Sequence, residues 1–174
     1  RSNKDIERAK EIFAIAKKSP YYAQKYKDTV IPESEKDWAN IPHLSRNDLY
    51  YNTYPATKSM FTAPLADAIV LSTGGSSGVA RTVVLNNGEW DDFCQKQAEA
   101  FALLGVTPDD VVANLFIAGH LWPSFIGVHE MVKRVNAVQL PISSNIAPEE
   151  IYNMCKQYQP TVMVSLPTLF VFLA

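Results

Sequence analysis

The sequence predicts an α/β fold: an N-terminal helical and irregular segment, then a βαβ-type, mostly parallel sheet that begins with a Gly/Ser-rich β-hairpin loop. Three observations support this. Prolines at 32, 42, 55 and 64 punctuate residues 28–66 and leave little room for regular structure. From residue 67 short apolar runs alternate with longer amphipathic ones, the pattern of strands joined by crossover helices. The run Ser72 to Arg81 gathers three of the chain's 7 glycines between two strand-like segments. A soft boundary near 66 separates residues 1–66 from 67–174, the latter read as the first part of an α/β domain.

Taken in order, Ile6, Ala9, Phe13 and Ala16 share one face of a 3.6-residue period, so residues 4–18 read as an amphipathic helix that Ser19-Pro20 stops. A short helix is expected from Tyr21 to Tyr26, and Ser45 reads as the N-cap of one further turn. Ala68 to Leu71 and Thr82 to Leu85 are strands. Glu89 to Leu104 is a helix with Trp90, Phe93, Cys94, Ala98, Phe101 and Leu104 as its apolar face, closed by Gly105. Strands then follow at 110–116, 137–140 and 161–166, with helices at 124–135, at 148–158 and from Pro167 onward. Right-handed crossovers would make this a doubly wound sheet.

Composition excludes several classes. The formal net charge of −2 does not supply the basic excess of a nucleic-acid footprint. No apolar run reaches the roughly 18 residues of a membrane span, and Arg1-Ser2-Asn3-Lys4 lacks a signal-peptide core. The 2 cysteines, Cys94 and Cys155, lie in separate helical segments and read as buried thiols, and 3 histidines without Cys/His spacing do not make a metal site. A cytoplasmic location is expected. The start without Met and the uncapped apolar stretch from Ser165 to Ala174 read as a chain that continues.

Chemistry concentrates in Leu71-Ser72-Thr73-Gly74-Gly75-Ser76-Ser77-Gly78-Val79-Ala80-Arg81. Glycines let backbone N–H groups curl into an anion-binding nest, hydroxyls add donors, and Arg81 adds a charge. A strand follows the loop, where a Walker A or dinucleotide fingerprint would be followed by a helix, so both are excluded. From composition alone a ligand-free hairpin turn and a phosphate cradle remain equal readings. His120 and Trp122, just after a strand, are candidates to line a substrate pocket, against the plainer reading of a surface residue and a loop anchor. His129 reads as a structural helix residue, Asp91-Asp92 as carboxylates favoured by a helix N-terminus, and Lys17, Lys18, Lys25 and Lys27 as a solvated face. Tyr21, Tyr22 and Tyr26 pack on the main domain or form a homodimer contact.

These residues together resemble the phenylacetate–CoA ligase branch of the adenylate-forming superfamily. The family's S-S-G-T-T-G-K-P is similar to Thr73 through Ala80, and its S-P-F-Y opening to Ser19-Pro20-Tyr21-Tyr22 with Tyr26. Ile41-Pro42-His43-Leu44-Ser45-Arg46-Asn47-Asp48-Leu49 with Tyr54-Pro55 resembles its [LI]-P-x-[TS]-x-K-x-D-L and Y-P segments. Gly127-Val128-His129-Glu130, Ala137 and Pro141 follow its G-L-H-Y-G-A-E-K-L-G-A-T-V-I-P stretch, and Leu166-Pro167-Thr168 stands where it has T-P-S-Y. Two departures are Val79-Ala80 in place of Lys-Pro and Asn136 in place of a Gly.

The resemblance implies an ATP-dependent carboxylic acid ligase, of aryl or acyl acids, that forms an acyl-adenylate and passes the acyl group to a thiol, CoA or a carrier protein. ATP phosphates would be held by Thr73, Gly74, Gly75, Ser76, Ser77, Gly78 and Arg81. The Mg2+ ligands, the adenine and ribose contacts and the late Lys of the family have no counterpart in residues 1–174, so these residues alone are expected to be inactive. A carrier-protein synthetase, or a non-catalytic module that has lost its ATP site at Val79-Ala80, are the alternatives.

Overall fold

Capping chemistry sets the local structure of the N-terminal residues. A computed structural model of the protein describes residues 3–74 and 80–173. Among them are the helices α1 (Asn3–Ala16), α2 (Pro20–Lys25), α3 (Glu35–Ala39) and α4 (Arg46–Asn52). The strands β1 (Ala68–Ser72) and β2 (Thr82–Asn86) and the helix α5 (Asn87–Leu103) follow. Then come β3 (Val111–Asn114), α6 (Pro123–Arg134), β4 (Val138–Leu140), α7 (Pro148–Tyr158), β5 (Val162–Val164) and α8 (Pro167–Leu173). The chain divides into two compact units, Arg1–Asp67 with Arg81–Val84, and Ala68–Ala80 with Leu85–Ala174.

In the first unit the predicted face of α1 is turned inward, with Phe13 buried. Its ring meets Tyr26 at 5.3 Å and Trp38 edge-on at 5.7 Å, so aromatic pairs stand in for an aliphatic core. Such pairs add about 0.5–1.5 kcal/mol beyond area burial. Tyr26 Oη donates to the Pro42 carbonyl at 3.0 Å, which satisfies its polar end. Ser19 is buried and caps α2 by accepting from the Tyr22 N–H at 3.3 Å, and Pro20 takes the first helical position, where no N–H is needed.

Three sequence expectations change here. The stretch 28–66 is not wholly irregular: Ser34 and Asp37 form a reciprocal capping box that starts α3. Ser45 and Asp48 do the same for α4, which runs longer than the single turn expected. Lys25 is not part of a solvated face. Its Nζ pairs with Asp48 Oδ2 at 3.2 Å and lies 6.0 Å from the Tyr21 ring centroid. The Ser45 backbone N–H, followed by Tyr21 and Lys25, holds the Asp48 carboxyl well below the usual carboxylate range. Burial, then the Asp48 carboxylate, pushes the Tyr21 phenol up.

β1 and β2 are neighbours in a two-stranded sheet, as a strand–loop–strand segment requires, and from Leu85 onward the chain belongs to the second unit. Gly75, Ser76, Ser77, Gly78 and Val79 lie outside the described residues. Asn86 caps α5 in a third box, its Oδ1 accepting from the Glu89 N–H at 2.8 Å. This starts the helix at Asn87, two residues before the expected Glu89. The inward stripe is Trp90, Cys94 and Ala98, spaced four apart. Phe93 is 45% exposed and Leu104 82% exposed, because a stripe that narrow leaves flanking positions in solvent. Gly105 closes the helix at φ +96°, as expected.

The three-stranded sheet has the order β4-β3-β5, all parallel. Val112 stands opposite Gln139 on one side and Val162 on the other. Successive side chains of β3 face opposite ways. Val112 enters one core with Val106, Val128 and Val132, beneath α6. Ala113 and Leu115 enter another with Ile151 of α7 and with Leu169 and Phe170 of α8. Helices thus cover both faces, as a buried parallel sheet demands. After α6 the chain turns through Asn136 at φ 59°. This is the position where the resembling family has Gly, and Asn is among the residues that best tolerate the left-handed region.

Asp48 titrates lower in the folded chain than in the unfolded one, so its contribution is full above about pH 4 and is lost as pH falls through the folded value. Urea unfolding of Asp48→Asn should therefore vary less than wild type between roughly pH 5 and pH 2. Equal acid slopes for the two proteins would remove the assigned interaction.

Candidate functional site

Backbone pairing in the parallel sheet stops at Asn114, and the groups it leaves over are taken up by buried polar side chains. Asn114 is 0% exposed. Its Nδ2 donates to the Phe125 carbonyl at 2.9 Å, and its Oδ1 accepts from the Phe116 N–H at 3.3 Å. Its carbonyl accepts from the Ser143 N–H at 2.9 Å. Ser143, itself buried and at φ 65°, accepts from the Ala118 N–H through Oγ at 3.1 Å. Ser165 Oγ donates to the Leu115 carbonyl at 3.2 Å. Loops from the ends of all three strands are joined by this network.

The loop between β3 and α6 contains Gly119, His120 and Leu121, all at positive φ (91°, 55° and 60°). For the two side-chain-bearing residues that conformation costs roughly 1–2 kcal/mol each. Two hydrogen bonds hold it: Trp122 N–H to the Gly119 carbonyl at 3.0 Å, and Ser72 N–H at the end of β1 to the Leu121 carbonyl at 2.8 Å. The turn places Trp122 at the start of α6, and His120 stacks on it at 4.9 Å between ring centroids.

The result is an open cleft of about 740 Å³ at the carboxyl ends of the strands. The end of β1 contributes Ser72, Thr73 and Gly74. The β3–α6 loop contributes Phe116, Ile117 and Trp122, and the first turn of α6 contributes Pro123 and Ser124. Ser144, Ser165 and the α8 residues Leu166, Thr168, Leu169 and Phe172 complete the wall, Leu166 standing just before that helix. No Asp, Glu, Lys, Arg or His is among the described residues that line it. Open α/β sheets place ligands at this end of the strands.

Of the predicted site residues, the fold brings Thr73, Gly74 and Trp122 into this one cleft. The space beside Gly74 is open, with no atom within 4 Å of where a Cβ would stand. His120 is exposed and outside the lining, touching the cleft only through its stack on Trp122. Arg81 is exposed, just before β2, and is also outside the lining. Gly75, Ser76, Ser77 and Gly78 lie outside the described residues. His129 bonds to Gln139 at 2.6 Å, away from the cleft. Asp91 pairs with Arg134 at 2.9 Å. Burial pushes both thiols up, so neither Cys94 nor Cys155 is an activated nucleophile. No group of three metal-ligating side chains occurs among the described residues, and no described helix is long and apolar enough to cross a membrane. Sequence reasoning missed Asn114, Ser143 and the α8 wall. The only signal was an Asn set inside the apolar run Val111-Val112-Ala113-Asn114-Leu115.

Solved structures share this fold. The open conformation of 2-hydroxyisobutyryl-CoA ligase in complex with 2-HIB-AMP and CoA superposes over 97% of this chain with a TM-score of 0.81 at 16% identity. The chain carries the fold of part of 2-hydroxyisobutyryl-CoA ligase. The same ligase in its postadenylation state with 2-HIB-AMP gives a TM-score of 0.80 at 16% identity over 97% of this chain and 37% of its own. Its thioesterification state with 2-HIB-AMP and CoA gives 0.81 at 17% identity, again over 97% and 37%. This chain spans 38% of the length of the first of these. No protein-family profile matches the chain, and no curated protein does.

Asn114→Ala would strand the half-buried Phe116 N–H and remove a second bond to the Phe125 carbonyl, which also accepts within α6, at roughly 1–3 kcal/mol for the stranded donor. A loss of about 1–3 kcal/mol in urea unfolding is expected. A loss below about 0.5 kcal/mol, the range of ordinary surface changes, would show that the network does not join the loops.

Proposed function

We propose that this chain is the N-terminal part of an ATP-dependent carboxylic acid ligase of the phenylacetate–CoA ligase-like branch. One observation carries the reading. The strand that leads into the Gly/Ser run ends at Ser72, and Ser72, Thr73 and Gly74 stand in the wall of a cleft with no charged side chain among its described lining residues, in a fold shared with a ligase solved with 2-HIB-AMP and CoA. The branch assignment rests on the sequence motifs, which occur in order along the chain.

In the proposed reaction a carboxylate oxygen of the acid attacks the α-phosphorus of ATP and pyrophosphate leaves. A thiolate, in our reading that of CoA, then attacks the acyl carbon and AMP leaves. Thr73 and Gly74, with Gly75, Ser76, Ser77 and Gly78, would donate hydrogen bonds to the β- and γ-phosphates as charge moves onto pyrophosphate. Arg81 would add a cation where the branch's Lys is replaced by Val79. Trp122 and the apolar wall would hold the acyl part, with His120 orienting Trp122 from outside. Bound Mg2+ would neutralise phosphate charge, and its ligands, like the adenine and ribose contacts, belong in this reading to chain beyond these residues. A cytoplasmic location and a domain boundary near residue 66 belong to the same reading.

The test is acid-dependent ATP–pyrophosphate exchange by the full-length protein, with residues 1–174 alone staying at background. The double variant Ser76→Ala/Ser77→Ala should lower exchange by at least about tenfold, since single donors to developing charge are worth about 10²–10³. Unchanged exchange in that variant would remove the loop from the reaction, and exchange by residues 1–174 would contradict the division of labour.

A further inference from the structure

We propose that Leu121 is a positioning residue that acts through its backbone: its left-handed conformation aims its carbonyl at the Ser72 N–H and so sets where the Gly/Ser run leaves β1. The proposal rests on the ligase reading for what that run holds, and on the turn itself for what is positioned. The turn is an inverted one. Positive φ at both His120 and Leu121, closed by the Trp122 N–H on the Gly119 carbonyl at 3.0 Å, is the pattern of a type I′ turn. Such turns favour Asn and Gly at their two central positions. His and Leu stand there instead, and a bulky residue rarely takes this conformation.

The hand of the turn decides where its carbonyls point. In the ordinary type I form both central residues have negative φ, the mirror image of the backbone here. The Leu121 carbonyl would then leave on another heading, and the Ser72 N–H would lose the acceptor it has at 2.8 Å. Ser72 is the last residue of β1, and Thr73 and Gly74 follow it into the cleft wall. Trp122 follows Leu121 into the same wall, whereas Leu121 is not among the described lining residues. One backbone hydrogen bond therefore ties the start of the run to the residue beside Trp122, and the Leu121 side chain takes no part in that bond. Misplacement of bound groups by about 1 Å is enough to cost a large factor in rate, so the placement of the run matters.

Two substitutions at one position separate backbone from side chain. Glycine takes the left-handed region freely, whereas valine, branched at Cβ, resists it more than leucine does. In the full-length protein Leu121→Val should speed hydrogen–deuterium exchange of the Ser72 amide at least about tenfold and raise the Kd for Mg-ATP at least about fivefold. The amide of Val112, buried in the central strand, should stay within about twofold of wild type, because only general destabilisation would reach it. Leu121→Gly, which removes the whole side chain, should keep both the Ser72 amide and the Kd within about twofold of wild type. A glycine variant that frees the Ser72 amide or loses Mg-ATP would assign the role to the side chain and overturn the proposal. A folded valine variant in which either reading stays at its wild-type value would overturn it too, and if valine prevents folding the glycine variant decides alone. Wild-type protein that binds no Mg-ATP, with the amide pattern as stated, would instead reject the ligase reading and leave the turn's hold on β1 standing.

Discussion

A parallel sheet has to end somewhere, and in this chain the central strand ends on a buried amide. Asn114 gives the Phe116 N–H the acceptor it would otherwise lack and ties the strand end to the Phe125 carbonyl in the first turn of α6. Its carbonyl fixes Ser143, whose hydroxyl in turn fixes Ala118. An apolar residue of similar size would fill the space and leave the Phe116 N–H stranded. The amide lets three loops leave the strands together and still stay apart enough to form a cleft.

That constraint accounts for the strained turn beside it. With Phe116 and Ala118 held by side chains, and Leu121 held by the end of β1, the chain has only a few residues in which to turn into α6. Gly119 meets that demand without cost, whereas His120 and Leu121 adopt the left-handed region at a cost that the surrounding hydrogen bonds offset. The product is Trp122 in the cleft wall, with its exposed side covered by the His120 ring. Binding surface, backbone strain and the polar network are therefore one structure, and a change in any of them should be felt in the others.

The sheet was legible in the sequence because its signal is strong: apolar runs of strand length, separated by helical periods, admit few other folds. The helix stripe on α5 was legible in direction but too wide, since periodicity alone does not say how much of a face its neighbours reach, and Phe93 and Leu104 fell outside. The helix α3 was missed because its capping signal, Ser34 and Asp37, sits between prolines and supports a single large apolar residue, Trp38. Thr73, Gly74 and Trp122, singled out by residue type and by position beside strands, do line the cleft. Asn114 and Ser143 were not, because a polar residue near a strand end reads equally well as a turn. Leu166, Leu169 and Phe172 read only as helix and core, and their place in the cleft depends on a tertiary arrangement that no local pattern encodes.

We propose that an acyl-adenylate sits at the carboxyl ends of these strands, between the end of β1 and the β3–α6 turn. Backbone amide chemical-shift mapping of the full-length protein with a non-hydrolysable acyl-adenylate mimic tests it most directly. The account predicts large shifts at Thr73, Gly74, Phe116, Ile117 and Leu166, with α1 and the outer face of α7 unmoved. Saturable binding that leaves those five amides unshifted would contradict it.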